Sequence, residues 1–185
     1  MTMRYLPFPV GETYSDGVAT RSDTLPAKEL EGQIVETVDA ANRPLKLRIV
    51  KFDTSVATSI SNVFYTFNTT SPGDYGRRLT TTKAGQKGFG KPPHYSYNGD
   101  KITAQDLLYV VEEGYVSVQA KASHGIAKAG MKLGLAANGQ VSKLLDGAAC
   151  VAVAATTPPK AATACTFLVY VLGGIDPSGA GAAES

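Results

Sequence analysis

From Leu107 to Leu172 the chain is divided into short apolar stretches by turn-forming residues, a spacing that suits strands and leaves little room for long helices. Val116, Val118 and Ala120 share one face while Ser117, Gln119 and Lys121 share the other, the period-two alternation of a strand with one buried side. Lys132-Leu133-Gly134-Leu135 runs into Ala136-Ala137-Asn138-Gly139, and the Asn-Gly pair predicts a hairpin because both residues tolerate positive φ. Ala148 to Ala155 and Thr163 to Leu172 read as two further strands, joined through Thr156-Thr157-Pro158-Pro159-Lys160. A hairpin centred between Thr157 and Pro158 would set Cys150 opposite Cys165. Ahead of these, Leu107 to Val111 and Tyr115 to Ala120 are expected as two strands separated by a hairpin-like break at Glu112-Glu113-Gly114.

Upstream, Gln33 to Val38, the turn Asp39 to Pro44, and the alternation of Leu45, Leu47 and Ile49 with Lys46, Arg48 and Val50 predict strand, turn and strand. Ser55 to Phe67 fits either a short helix or an extended segment. Thr69 to Asp100 is rich in Gly, Pro, Thr and Tyr and reads as a long basic loop. It holds Arg77, Arg78, Lys83, Lys87 and Lys91 against Asp74 and Asp100. Loops of that length are uncommon unless they carry function, so this one is expected to meet another subunit. Residues 1–28, with Pro7, Pro9 and Pro26, read as an extended arm, and 176–185, mostly Gly, Ala and Ser, as a flexible tail. Between them, 29–175 is expected to be one β-rich domain. The fold class is therefore mainly β: a small β-barrel or β-sandwich module with an extended N-terminal arm and a long central loop.

Composition narrows the partners. A formal net charge of +2 over 185 residues is too small for nucleic-acid or membrane attraction to be expected. Tryptophan is absent, and the nine tyrosines and six phenylalanines are scattered, which offers no stacking platform for bases or sugars. No run approaches the ~20 apolar residues of a membrane span. The stretch Met1 to Pro7 lacks the apolar core of a secretory signal, so the protein is expected to be made and used without export. Two cysteines are too few for a disulfide scaffold and match no zinc or redox spacing, and two small buried packers is the simpler account.

No catalytic constellation stands out. Gly85-Gln86-Lys87-Gly88-Phe89-Gly90-Lys91 has the glycine and lysine spacing of a phosphate-binding loop, but Pro92 stands where the magnesium-binding hydroxyl belongs and no apolar helix follows. His94 and His124 lie far apart with no Cys, Asp or Glu at ligand spacing. Ser123-His124-Gly125 resembles no nucleophile elbow, and Glu112-Glu113 reads as solvated turn acids, since adjacent strand residues point to opposite faces. The expectation is a non-enzymatic protein with no cofactor and no metal.

Four stretches carry a family resemblance: Glu113 to Val118, Ala129 to Val141, Gly147 to Ala154 and Phe167 to Gly174. Their order is a strand, a glycine turn, a short strand before Asn-Gly, then two apolar strands. The segment from Glu113 to Gly174, about a third of the chain, resembles the small β-barrel modules of tailed-bacteriophage capsid decoration, or cement, proteins. The resemblance implies a virion structural protein that binds the outside of an assembled capsid lattice, self-associates as a trimer and stabilises the shell. Its partner would be the major capsid protein, and its location the virion surface after assembly in the host cytoplasm. The arm and the loop at 69–100 are additions to the smallest members of that group. Tyr5, Phe8 and Tyr14 in the arm, and Arg77, Arg78, Lys83, Lys87 and Lys91 in the loop, are the candidate interface residues; the alternative for them is ordinary loop solvation and packing on the parent domain. Other virion roles, such as a shell subunit, head-fibre base or tail-tube protein, stay open, as does an uncharacterised enzyme or binding module.

Overall fold

The computed structural model describes residues 30–53, 62–68, 76–83, 90–94, 106–160 and 163–173, which form a mainly β structure of ten strands. In chain order these are β1 (Ile34–Val38), β2 (Pro44–Phe52), β3 (Tyr65–Phe67), β4 (Arg78–Lys83), β5 (Gly90–Lys91), β6 (Leu108–Ala120), β7 (Lys132–Leu135), β8 (Val141–Lys143), β9 (Ala152–Ala154) and β10 (Cys165–Val171).

Five of them close into a barrel. β6 pairs with β10, β10 with β9, β9 with β7 and β7 with β8, all antiparallel, and β8 returns parallel to β6 where Val141 meets Ala120. Closure removes the open edges that a five-stranded sheet would otherwise expose to other chains. The alternation read in Val116, Val118 and Ala120 faces inward, where these residues meet Leu133, Val141, Phe167 and Val169 in one apolar core. Asn138 (φ 60°) and Gly139 (φ 70°) make the turn between β7 and β8 as their sequence predicts. Ala136 N–H closes it on the Gln140 carbonyl at 2.7 Å. Gly139 has a second duty. Phe64 N–H donates to its carbonyl at 2.8 Å, and a Cβ there would run into the Phe64 backbone.

The first half of β6 belongs to a second ring of pairings. β2 lies beside it, with Arg48 level with Val110 and Val50 level with Leu108; the end of β2 pairs parallel with β4, β4 pairs with β3, and β3 with β5. The chain leaving β5 then comes back along β6: His94 N–H donates to the Tyr109 carbonyl at 3.0 Å, and Val111 N–H to Pro92 at 2.9 Å. This ring encloses a separate core of Val50, Phe52, Tyr65, Phe67, Leu79 and Val110, with Phe52 and Tyr65 packed edge to face at 5.4 Å. Leu107-Leu108-Tyr109-Val110-Val111 is uninterrupted in its apolar character because both of its faces are buried. Leu108 and Val110 enter this core, while Leu107, Tyr109 and Val111 enter the one continuous with the barrel.

Three expectations are corrected. Glu112-Glu113-Gly114 is no hairpin, since β6 runs through it unbroken. The extra residue is absorbed as a bulge, Lys46 facing Glu113 while Leu47 faces Val111. Gly114 (φ 132°) is needed there because a Cβ would lie 2.8 Å from Leu45 Cδ1, so the glycine marks a close approach of strands. The loop at 69–100 contains β4 and β5, which hydrogen bonding to β2 and β3 makes regular despite a turn-rich composition. The two cysteines do not face each other: Val169 pairs with Ala154 and Val171 with Ala152, Cys165 lies opposite Ala120 of β6, and both thiols are free. Pro158 and Pro159 have no N–H and a fixed negative φ, so they cannot make the tight turn that the symmetric hairpin required. The connection instead arches outward, leaving Ala155 and Thr156 N–H both bonded to the Leu168 carbonyl.

Candidate functional site

Charged groups converge where the two rings share β6. The Glu112 side chain, 5% exposed, accepts from Arg48 Nε at 2.9 Å and lies 3.7 Å from Lys91 Nζ. Lys91 also donates to the Glu112 carbonyl at 2.7 Å and the Leu172 carbonyl at 2.9 Å, tying β5 to the bulge and to the end of β10. Burial, reinforced by the Arg48 charge, pushes the Lys91 ammonium down to about 8 even though Glu112 pulls it up. A second acid, Glu31, sits 3.1 Å from Arg78 and 3.8 Å from Lys51. Buried ions of this kind contribute little net stability over an apolar filling, but removing one partner strands the others in a medium that solvates them poorly. They therefore lock one arrangement of the two rings.

A groove of about 680 Å³ lies between the β1–β2 hairpin tip and the outer face of β6 and β10. Asp39 shapes that tip: Oδ1 accepts from Ala41 and Arg43 N–H, both at 2.9 Å, and Asn42 takes the left-handed conformation (φ 59°). Burial raises the Asp39 carboxyl, but the hydrogen bonds from Arg43 and Ala41 and the Arg43 charge together hold it below the usual carboxylate range. Arg43, ion-paired with Asp39 at 2.7 Å, lies 3.9 Å over the Tyr115 ring. Tyr115 in turn packs edge to face on Tyr170 at 5.1 Å, and the Tyr170 hydroxyl donates to Glu113 at 3.0 Å. Hydrogen bonds from Lys46 and Tyr170 hold the Glu113 carboxyl below its ordinary value. His94 forms part of the wall. Its Nδ1 is buried with no hydrogen-bond partner, and burial pushes the imidazole down, more than the Asp39 charge pulls it up.

The expected interface cations are placed as follows. Lys91 is corrected outright: it is 1% exposed, so its charge serves the interior and is not offered to a partner. Arg78 is committed to Glu31, and Arg77 is half-buried with its side chain against Gly32. Lys83 takes its place in β4 opposite Tyr65. Lys87, Tyr5, Phe8 and Tyr14 lie outside the described residues. The phosphate-loop spacing is also accounted for at its end, since Gly90 and Lys91 form a strand and the ammonium is held by backbone carbonyls. His124, buried at 5%, accepts from Ile126 N–H at 3.0 Å and so presents Nε2–H to the Pro159 carbonyl at 3.1 Å, which pins the arch before β10.

Sequence reasoning missed the groove and the Glu112 junction. The one signal for the junction was the glutamate pair set between apolar strands; Glu112 is buried and is not the solvated turn acid expected. Among the described residues no group of three or more His, Cys, Asp and Glu side chains is arranged to hold a metal ion, and no helix is long and apolar enough to cross a membrane. No protein-family model, no curated protein and no solved structure matches this chain.

Proposed function

We propose that the protein is a virion structural protein that binds the outside of an assembled phage capsid and stabilises the shell. The observation that carries this reading is the barrel itself: the stretches that resemble decoration proteins, Glu113 to Val118 through Phe167 onward, are the strands and turns that close the five-stranded ring. Closure pairs the edges of the five barrel strands, which limits edge-to-edge aggregation of that part when many copies crowd on a lattice. Stabilisation needs only that the protein bind the assembled shell and not separated subunits, because the bound state is then favoured by mass action.

The test is to mix the purified protein with undecorated heads and follow co-sedimentation and the melting temperature of the heads. Saturable binding with a rise in melting temperature is the expected result. Absence of binding, with the protein forming rings or shells alone, would overturn the reading in favour of a tail-tube or shell subunit.

A further inference from the structure

We infer, resting on the capsid-binding reading above, that the end of the barrel where β6 stops and β7 begins is the face that meets the shell. Lys121, Lys128, Lys132, Lys143 and Lys160 carry the contact, and what they meet is a carboxylate-rich protein surface.

From Gly114 to Gly174 the chain carries these five lysines, no arginine and a single acid, Asp146. That excess is larger than the +2 of the whole protein, so the remainder is acidic on balance and the cations concentrate in the barrel. Strand direction gathers them further. β6 runs towards Ala120, and the pairings around the ring set the ends of β8 and β9 and the starts of β7 and β10 at that same end. Lys132 opens β7, Lys143 closes β8 and Lys121 follows β6. The other two sit on connections at this end. Lys128 precedes Ala129, whose N–H donates to Thr157 Oγ1 at 3.2 Å, and Lys160 follows Pro159, whose carbonyl meets His124 Nε2 at 3.1 Å. Backbone bonds tie the segments together: Lys121 N–H to the Val141 carbonyl at 3.0 Å, Lys143 N–H to His124 at 2.8 Å and Leu144 N–H to Lys132 at 3.2 Å. The lysines thus stand on a fixed base, and less order has to be imposed on binding.

Elsewhere the cations are matched: Arg43, Lys46, Arg48, Arg78 and Lys91 all lie against carboxylates. Among the described residues none of the five barrel lysines is ion-paired, and all are exposed except Lys121, which is half-buried. An anionic partner therefore gains attraction here without first breaking a pair. The surroundings select the kind of anion. Nucleic-acid recognition adds arginine forks or stacking rings to lysine charge, and residues 121–160 contain no Arg, Phe, Tyr or Trp. Leu145, two residues beyond Lys143, is 56% exposed. A protein partner can bury that side chain within a rim of ion pairs, whereas a phosphate chain offers it nothing and one leucine is too little to hold a membrane surface.

The experiment uses the full chain and undecorated heads, read by co-sedimentation. Lys128→Gln/Lys143→Gln is compared with Ala40→Glu/Ala41→Glu, which makes the same change in net charge at exposed positions on the β1–β2 hairpin tip. The lysine variant should bind roughly tenfold more weakly than the parent, and the hairpin variant like the parent, with the melting temperature of the protein unchanged in both. Binding of the parent should also weaken as salt is raised from about 0.15 M to about 0.5 M. Parent-like binding by the lysine variant, an equal loss in both variants, or binding indifferent to salt would each overturn the inference and leave the capsid reading standing. Failure of the parent to bind heads would remove both. Release of the protein from the heads by a short DNA duplex at about 0.15 M salt would overturn the assignment to a protein surface in favour of nucleic acid.

Discussion

The two halves of β6 are one continuous strand, yet they do different work. Leu107 to Val111 is apolar at every position because it is shared between two cores, with β2 on one side and the chain after β5 on the other. Tyr115 to Ala120 alternates because only its inner face meets the barrel, while Tyr115 and Ser117 line the groove outside. The change of environment falls at Glu112–Gly114, where a bulge and a buried ion cluster take up the mismatch. A strand can thus pass from one core to another without a break if the residues at the crossing are satisfied locally.

That comparison is open to direct attack at the crossing point. Glu112→Ala should have the largest effect, destabilising by roughly 3–5 kcal/mol in urea unfolding, because Arg48 and Lys91 would remain buried without their acid. A loss well below that range would mean that the two halves are held together by packing alone. Gly139→Ala comes next, at about 3 kcal/mol, since a side chain there needs both a left-handed backbone and room that Phe64 occupies. It probes the barrel half, and thermal unfolding reads it.

Lys91 sharpens the comparison through pH. Its folded-state pKa of about 8 lies below the ordinary 10.5, so between those values the unfolded chain holds a proton that the folded protein has released. Stability therefore rises with pH through that window, by at most about 3 kcal/mol from this group. Urea titrations of the protein and of Lys91→Met at pH 7 and pH 10 should show that increment only in the former, and an equal pH response in both would remove the buried ammonium from the account. The smallest effect belongs to the outer face of the second half. Ser117→Ala should change stability by less than ~0.5 kcal/mol, because the residue is exposed and packs against neither core.

Much of the barrel was legible. Alternation at 116–120 and the Asn138-Gly139 turn are local signals, and local sterics suffice to explain them. The strands in 69–100 were not legible, because β4 and β5 are held by partners far away in the chain and their Thr, Gly and Lys content has no period of its own. Lys91 illustrates the limit: beside Gly90 and Pro92 it reads as a solvated loop cation, and only the carbonyls of Glu112 and Leu172 account for its burial. The groove was invisible for the same reason, since Asp39, His94 and Tyr115 come together from three separate segments.

By itself, then, the sequence determined the strand class, the turn at Asn138-Gly139 and the inward face of the barrel, because these follow from side-chain alternation and backbone sterics over a few residues. Only the tertiary structure decided that β6 is one strand serving two cores, that Cys165 faces Ala120 and not Cys150, and that Glu112 and Lys91 are buried partners. Those outcomes depend on which distant segment supplies the neighbouring hydrogen bond or charge, and nothing within a short window of chain specifies it.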